Sequence, residues 1–584
     1  MFSDHENCRQ AGSLSYSCDL TFSEDWERSN VMTDAVLQNS EAEVSTTHYR
    51  VPRGDGQFLI EPALSVTPEL ISDNQSLLNN PDVQIWGKTL SQWRTEARKE
   101  LVERKSCQCT DHGSLISKLW ILTGHQPELI HPGVLIKNML VDHVAKLIGG
   151  VGMHVTIDSD TVKSRRISIP AEKNESLIKQ QIVVDNWPIG MPWQEIGIRS
   201  RELFDSFPER VQSRLSPLKQ PNVLDAYWRS VSEHAVSSGD IVAGLIAGRQ
   251  SIEQKLGITN QEIRLTDLAE TESFHSFLAH IICDARKFCS IYNQALASYR
   301  ERYGLKNNSH PMPDLILKEH KIELPFWIWS AEHPQRQGLY LVWQNENWAL
   351  TNHAGWSHPL PDQTSCTADS LQEALQEISE QGFRIRTRAL ITTLYMRLFL
   401  ADWFIHGIGG AKYDEVTDEI IRLYFQMKPP HFQVASGTIW LPLQDVSQTG
   451  EDETAALKQK LRRAEQNPET ILSEEQRSDA RDLLLEKQHL ITEQKAASTT
   501  GLSRRERRLR TPENQKRYFR FEEIREQLLH LAAEPIYQLE QQLSQAEEHA
   551  EQRAVATDRE YPFCLYPLKT LQKMQNKFNQ ITDS

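Results

Sequence analysis

No run of about 18 apolar residues occurs anywhere in the chain, and its opening MFSDHENCRQ has no basic stretch followed by an apolar one. Neither a membrane-spanning helix nor a secretory signal is expected. Cysteine is sparse: eight in 584 residues, at positions 8, 18, 107, 109, 283, 289, 366 and 564. They are too scattered for the disulfide framework of a small secreted domain, so reduced thiols and a cytoplasmic location are expected. Positive charge is in deficit, with 64 Lys and Arg against 79 Asp and Glu and a net charge of -15. The averaged field repels nucleic acid and anionic membrane, and neither is expected as a partner. GxxxxGK[ST] loops, GxSxG elbows, HExxH and paired HIGH- and KMSKS-like motifs are all missing. Familiar ATPases, hydrolases, zincins and aminoacyl-tRNA synthetases are thereby disfavoured.

What remains is ample for a core. Hydrophobic residues make up 39% of a 67.2 kDa chain whose mean hydropathy is -0.52. About two to four folding units are expected at this length, part of it polar helix or tail. Residues 1–45 are rich in Ser, Thr, Asp, Glu and Asn, the composition of a disordered N-terminal tail. Residues 46–452 read as a mixed α/β core: a short strand within 51–64, a helix over 86–101, a strand–helix–strand unit over 119–160, and short strands at 165–170 and 181–184. Residues from about 195 to 304 read as a helical insertion, and a Trp-rich section from about 322 to 351 as further strands. At about 453 the composition turns to Gln, Glu, Arg, Lys and Leu. Ile536, Leu539, Leu543, Ala546 and Ala550 then step by three and four, the seam of a long helix seeking a partner helix. A helical coiled-coil arm over 453–556 follows, with the basic SRRERRLR break suiting its tip. The remaining 557–584 segment begins with YPFCLYP, too apolar for a tail, and is expected to dock on the core.

The chemistry concentrates in two places. A strand–helix–strand unit of this length favours a parallel pair, whose C-terminal tips share one sheet edge, and ligands of open α/β sheets bind there. Thr123, Gly124, His125 and Gln126 end the first strand; Asp158 and Asp160 follow the second. His125 can donate to a phosphate or act as a general acid, or merely hydrogen-bond the turn. Gln126 offers an acceptor and two donors. His131, Lys137 and Asn138 sit at the helix start and can face the same crevice, though Lys137 can equally be solvated. At alternate positions of an extended segment, Asp158 and Asp160 would point to one side, there to hold a cation or an amino group, unless they cap the next turn. The second place is His406-Gly407-Ile408-Gly409-Gly410, followed by Lys412, Tyr413 and Asp414. Glycines admit close backbone approach, and a helix start favours an anion; tight turning and capping by Tyr413 or Asp414 are the plain alternatives. Arg384, Arg386 and Arg388 can clamp phosphates or form a solvated strand face. Cys107, Cys109 and His112 offer soft ligands without a second pair at zinc-finger spacing, and no metal site is assigned.

Taken together the two runs resemble the bacillithiol biosynthesis cysteine-adding enzyme (BshC) family, with its TGQQ-type turn before a helix, acidic EDHD-like cluster and later glycine turn ahead of a Tyr-containing helix. Here these stand as Thr123-Gly124-His125-Gln126, Asp158-Ser159-Asp160, and Gly409-Gly410 with Tyr413. The departures are His125 for the first Gln, Ser159 for the His of the cluster, and an added HPG at 131–133. The resemblance implies a Rossmann-like, nucleotidyl-transferase-like core with a long helical arm, in a divergent member of that superfamily. It further implies a ligase or transferase joining an amino-acid-like donor to a small amine. His125, Asp158 and Asp160 would be catalytic. Thr123, Gly124, Gln126, His131, Asn138, His406, Gly407, Gly409, Gly410, Lys412 and Tyr413 would bind ligand. ATP or another nucleotide is implied by that resemblance only, and a homodimer through the arm is a natural use of its seam. A non-catalytic metabolite-binding or scaffold protein and a metal-dependent hydrolase using His125, His131, Asp158 and Asp160 are the alternatives.

Overall fold

Strands β1 (Gln57–Glu61), β2 (Trp120–His125), β3 (Val151–Thr156), β4 (Gln261–Arg264), β5 (Trp403–His406) and β6 (Phe432–Thr438) form one sheet in the order β1-β6-β5-β2-β3-β4. The computed structural model describes residues 49–104, 112–174, 176–215, 217–218, 220–307, 309–361, 367–443, 453–496 and 512–582. The expected tail at 1–45, the Cys107/Cys109 pair and the basic SRRERRLR tip lie outside them. All sheet neighbours are parallel except β1, which runs antiparallel to β6 along an edge. Such a sheet must be covered on both faces, which is why Trp120, Ile121, Leu122 and Thr123 are buried in succession rather than alternately.

The covering helices divide between the faces. Helix α1 (Pro132–Leu147) buries Leu135, Ile136, Met139 and Val144 in one core with Ile121, Trp403 and Ile405. Helix α2 (Ile408–Tyr424) buries Val416, Ile420 and Ile421 in the other core, with Trp120, Leu122 and Phe404. The expected helical insertion is partly wrong. Helices Leu224–Ser238 and Ile241–Lys255 are the crossover between β3 and β4, and β4 itself, inside the 195–304 stretch, joins the main sheet. Its four residues, QEIR, carry too little apolar alternation to announce a strand.

A second, antiparallel sheet takes the Trp-rich section: Lys321–Ser330, Gln337–Gln344, Asn347–Thr351 and Ser357–Pro359, with Phe383–Thr387 on the other side of the first. Strands Arg166–Lys173 and Ser176–Val183 pair as a separate antiparallel hairpin. In the C-terminal third, helix Ala533–Ala556 packs on helix Thr454–Gln466 and on the hairpin strand Ser176–Val183, while Arg481–Ala496 packs on Pro512–Leu531. Tyr561, Phe563, Cys564, Leu565 and Tyr566 are all buried, and the Phe563 N–H donates to the Ile130 carbonyl at 2.8 Å. Among the described residues no helix is long and apolar enough to cross a membrane. Reduced thiols were expected throughout, yet Cys283 is disulfide-bonded, because pairing follows spatial proximity that sequence spacing does not reveal. Cys289 and Cys564 are buried free thiols.

Where β2 and β5 begin, Asp402 gathers three donors: Arg94 Nη2 at 2.6 Å, Arg98 Nη2 at 2.8 Å and the Trp120 N–H at 2.7 Å. Burial and the neighbouring Arg98 draw the Arg94 guanidinium down to about 10. Asp402→Ala leaves two desolvated guanidiniums without a counter-charge, a loss of about 3–5 kcal/mol. Urea unfolding followed by circular dichroism measures it; a change below about 1 kcal/mol would show that the cluster does not hold the seam.

Candidate functional site

β2 and β5 pair only through Trp403 with Ile121 and Phe404 with Leu122, and the chain then leaves them in opposite directions. From β2 it enters α1 on one face; from β5 it enters α2 on the other. Beyond the strand tips lies a cavity of about 750 Å³, lined by Gly124, His125, Gln126, His131, Asp160, His406, Gly407, Gly409 and Gly410 among others. The two distant sequence runs therefore do meet.

His125 is neutral. Burial, with Lys137 nearby, holds its imidazole well below the ordinary histidine value. Nδ1 lies 3.0 Å from the Gln126 carbonyl, which can only accept, so Nδ1 carries the hydrogen and Nε2 is left as a base. The imidazole thus hydrogen-bonds the turn, the plainer of the two expectations, and Nε2 has no proton to give as a general acid. Gln126 Nε2 donates to Asp160 Oδ2 at 2.9 Å, and Arg336 Nη1 approaches Asp160 Oδ1 to 3.1 Å. Burial pushes the Asp160 carboxyl up, but the Thr161 N–H, Lys163 and Arg336 outweigh it and hold it below the usual range.

His131 caps α1, its Nδ1 accepting from the Gly133 N–H at 3.1 Å, with Pro132 in the first helical turn. Burial, then Arg559 and Lys137, draw its imidazole down to about 4. Lys137 is 5% exposed, far from the solvated alternative; its ammonium donates to the Gly124 carbonyl at 2.9 Å, and burial draws it down to about 8. On the other side, His406 Nε2 sits 2.8 Å from Asp414 Oδ2, and Asp414 is bridged by Arg397 at 2.5 Å. Burial raises the Asp414 carboxyl, but Arg397 and His406 prevail and hold it at about 2.

Other expected residues are placed elsewhere. Asp158 does not face the cavity: it is fully buried and accepts from Arg264 Nε at 2.8 Å, the Thr266 N–H at 3.0 Å and Thr266 Oγ1 at 2.7 Å. β3 ends at Thr156 and the backbone turns, so positions 158 and 160 do not share the side that an extended chain would give them. Thr123 is a cross-strand clasp, its hydroxyl donating to the Ile405 carbonyl at 2.8 Å. Asn138 points into the protein, donating to Glu253 Oε1 at 2.6 Å. Lys412 and Tyr413 fall outside the lining because the helical turn carries them away from the α2 start. Of the arginine triplet only Arg388 lines the cavity; Arg386 pairs with Glu270 at 3.1 Å and Arg384 lies 3.8 Å from Glu195.

The lining also includes residues that sequence reasoning passed over. Trp327, from the second sheet, lies between the guanidinium of Arg388 at 4.3 Å and that of Arg336 at 5.1 Å. Arg559 reaches in from the C-terminal segment and donates to Ser436 Oγ at 3.1 Å. Of these, only Trp327 left a trace in the sequence, as part of the Trp-rich section. Among the described residues no group of three or more His, Cys, Asp or Glu is placed to hold a metal ion. No protein-family model and no curated protein matches this sequence.

Two changes separate framework from site. Asp158→Ala strands Arg264 beside Asp240 and exposes unpaired donors, lowering stability by about 3 kcal/mol, whereas Asp160→Ala, at the cavity rim, costs about 1 kcal/mol or less; chemical denaturation of both reads the contrast, and equal losses would erase it. The depressed His131 value gives a pH signature. The unfolded chain binds this proton from about pH 6.5 downward and the folded one only near 4, so stability is lost as the pH is lowered across that window, by about 2–3 kcal/mol. His131→Asn keeps a helix cap and removes this titration. Its unfolding free energy should vary less between pH 6.5 and 4 than that of the wild type.

Proposed function

We propose that the six-stranded unit is a Rossmann-like core and that the chain acts as a BshC-like ligase or transferase, joining an amino-acid-like donor to a small amine in this cavity. The strand order supports the first part. Taking the parallel strands in chain order, β2 lies in the middle, β3 and β4 extend to one side, and β5 and β6 return on the other. That reversal is the switch point at which doubly wound sheets bind their ligands. One observation carries the second part: a neutral imidazole, the Asp160 carboxylate and the Gly407–Gly410 bend share a cavity at that point. His125 Nε2 takes the proton of the attacking amine, Asp160 with Gln126 orients the amino group, and the α2 start faces developing negative charge. A nucleotide belongs to this reading by resemblance and would supply the activation of the donor carboxyl, so that its oxygen leaves with phosphate or nucleoside monophosphate as the C–N bond forms. The arm exposes Leu485, Tyr518, Phe519 and Tyr537, which supports its use as a homodimer contact.

The test is to incubate the protein with mixtures of amino acids and small amines, with and without ATP, and to follow condensed products by mass spectrometry. Thermal shift on the same ligands is run in parallel. Product should form with wild type and fall about 100- to 10,000-fold in His125→Ala, with ligand-induced stabilisation retained. Stabilisation by a metabolite without any product favours the non-catalytic alternative, and undiminished turnover in His125→Ala removes the assigned proton acceptor.

A further inference from the structure

Positive charge in the cavity is not distributed as a folded protein left to itself would arrange it. Arg388 is neutralised by Glu323 at 2.7 Å, and Arg336 by Asp160 at 3.1 Å. Lys137 and Arg559 have no such partner: among the described residues the first donates only to a carbonyl and the second only to a hydroxyl. Nearby carboxylates are committed elsewhere, Asp558 to Lys179 at 2.5 Å and Asp160 to Arg336 and Lys163. Glu560 follows Arg559 and lines the cavity; its carboxylate acts on the guanidinium through space but forms no direct ion pair with it, and burial still prevails to hold the Arg559 value down.

The backbone adds to this. Arg559 lies against the start of α1, the positive end of that helix, where a cation is the unfavoured guest. Its approach is so close that any side chain at Gly133 would collide with the guanidinium. His131, between the two cations, is uncharged and feels both. Across the gap, α2 begins at Gly407 with no side-chain cap, and the first backbone N–H that finds an intrahelical carbonyl is that of Ala411, bonded to Gly407. The N–H groups of Ile408, Gly409 and Gly410 are thus left to whatever occupies the cavity they line. Lys137 stands at this same bend, its Cδ 3.7 Å from where a Gly407 side chain would begin.

We infer that the end of the cavity bounded by Lys137, Arg559 and the uncapped start of α2 is a subsite for a phosphoryl group. This rests on the reading of the cavity as a ligand site and names the chemistry of one part of that ligand. Two cations that make no ion pair, bordering one gap, together with three amide donors, match a compact dianion; a monocarboxylate would leave one charge unmet, and a dicarboxylate would spread its charges over separate centres. The phosphoryl group can belong to a nucleotide or to a phosphorylated sugar or acid.

Isothermal titration with inorganic phosphate, pyrophosphate, ATP, glucose 6-phosphate and succinate tests the assignment on the full chain. Pyrophosphate and at least one phosphate ester should bind, succinate at least tenfold more weakly, and binding should weaken as salt rises. Lys137→Met and Arg559→Ala should each weaken pyrophosphate at least tenfold. Gly409→Pro, which removes one amide at a helix position that tolerates proline, should do so more mildly. Arg384→Ala, a cation outside the lining, should bind within twofold of wild type. Circular dichroism and a cooperative melt verify each fold, and Arg559→Ala alone decides if Lys137→Met fails to fold. Preference for ATP over glucose 6-phosphate identifies a nucleotide, and the reverse a phosphorylated metabolite. Succinate binding as tightly as pyrophosphate, unchanged affinity in the Arg559 and Lys137 variants, or no binding of any phosphate overturns the subsite. Binding that behaves as expected, in a protein that forms no condensed product, leaves the subsite standing and removes the ligase reading.

Discussion

Everything at the site depends on the seam between β2 and β5. Only two residues of each strand are in register, so the pairing is held largely by side chains at its ends. Asp402 clasps one end by binding the Trp120 N–H, and the Thr123 hydroxyl clasps the other through the Ile405 carbonyl. Because the chain departs from these strands toward opposite faces, no connection crosses the tips, and the gap stays open. A sheet wound in one direction would have covered it. The cavity is therefore a consequence of topology, and the seam keeps His125, His406 and Gly407 at a fixed spacing around it.

Charge inside that gap is ordered by burial. The same desolvation that leaves His125 and His131 uncharged also acts on Lys137, yet lysine starts so much higher that at about 8 it still carries its proton near neutrality. The result is a neutral base beside fixed cations. An amine that lost its proton to His125 would create an imidazolium near Lys137, and an anionic ligand in place lowers the Coulomb cost of that step. Acid–base capacity and anion binding are coupled through one electrostatic field. Behind the strands lies a closed set: His154 with Glu262 at 3.1 Å, and Arg249 with Glu253 at 2.7 Å. These charges pair with one another and do not line the cavity, although His154 still adds to the field that lowers His125.

How much of this was legible follows from the range over which each signal acts. β2, α1 and β3 were plain because their apolar runs and three-four periodicity are local, and the glycines marked the α2 start for the same reason. The pairing of Asp158 with Asp160 misled because alternation holds only while a strand lasts, and β3 stops two residues before the first aspartate. β4 hid in the helical stretch since half of its residues are charged. From its helix position Lys137 could as well have been solvated as face the crevice; the Gly407 bend that packs beside its stem lies some 270 positions later in the sequence. Arg388 stood out only as one of three alternating arginines, two of which pair elsewhere, and nothing in the neighbourhoods of Arg336 and Arg559 distinguishes them from other arginines.

Arg559 also ties the helical arm to the chemistry. It follows the long helix Ala533–Ala556 by three residues and precedes the buried run Tyr561 to Tyr566. That run is pinned at Phe563 to the carbonyl of Ile130, immediately before the His131 cap of α1. Helix, arginine and cap thus form one continuous attachment. The core by itself supplies Lys137 and the α2 amides, but the second cation arrives only when the chain returns from its C-terminal helices and docks. Its seat is unfavourable by itself, a guanidinium against the positive end of a helix, and the surrounding apolar anchor holds it there. A ligand that neutralised Arg559 in the proposed subsite would also tighten the docking of the segment, so that occupancy of the cavity and attachment of the C-terminal helices would share a single free energy.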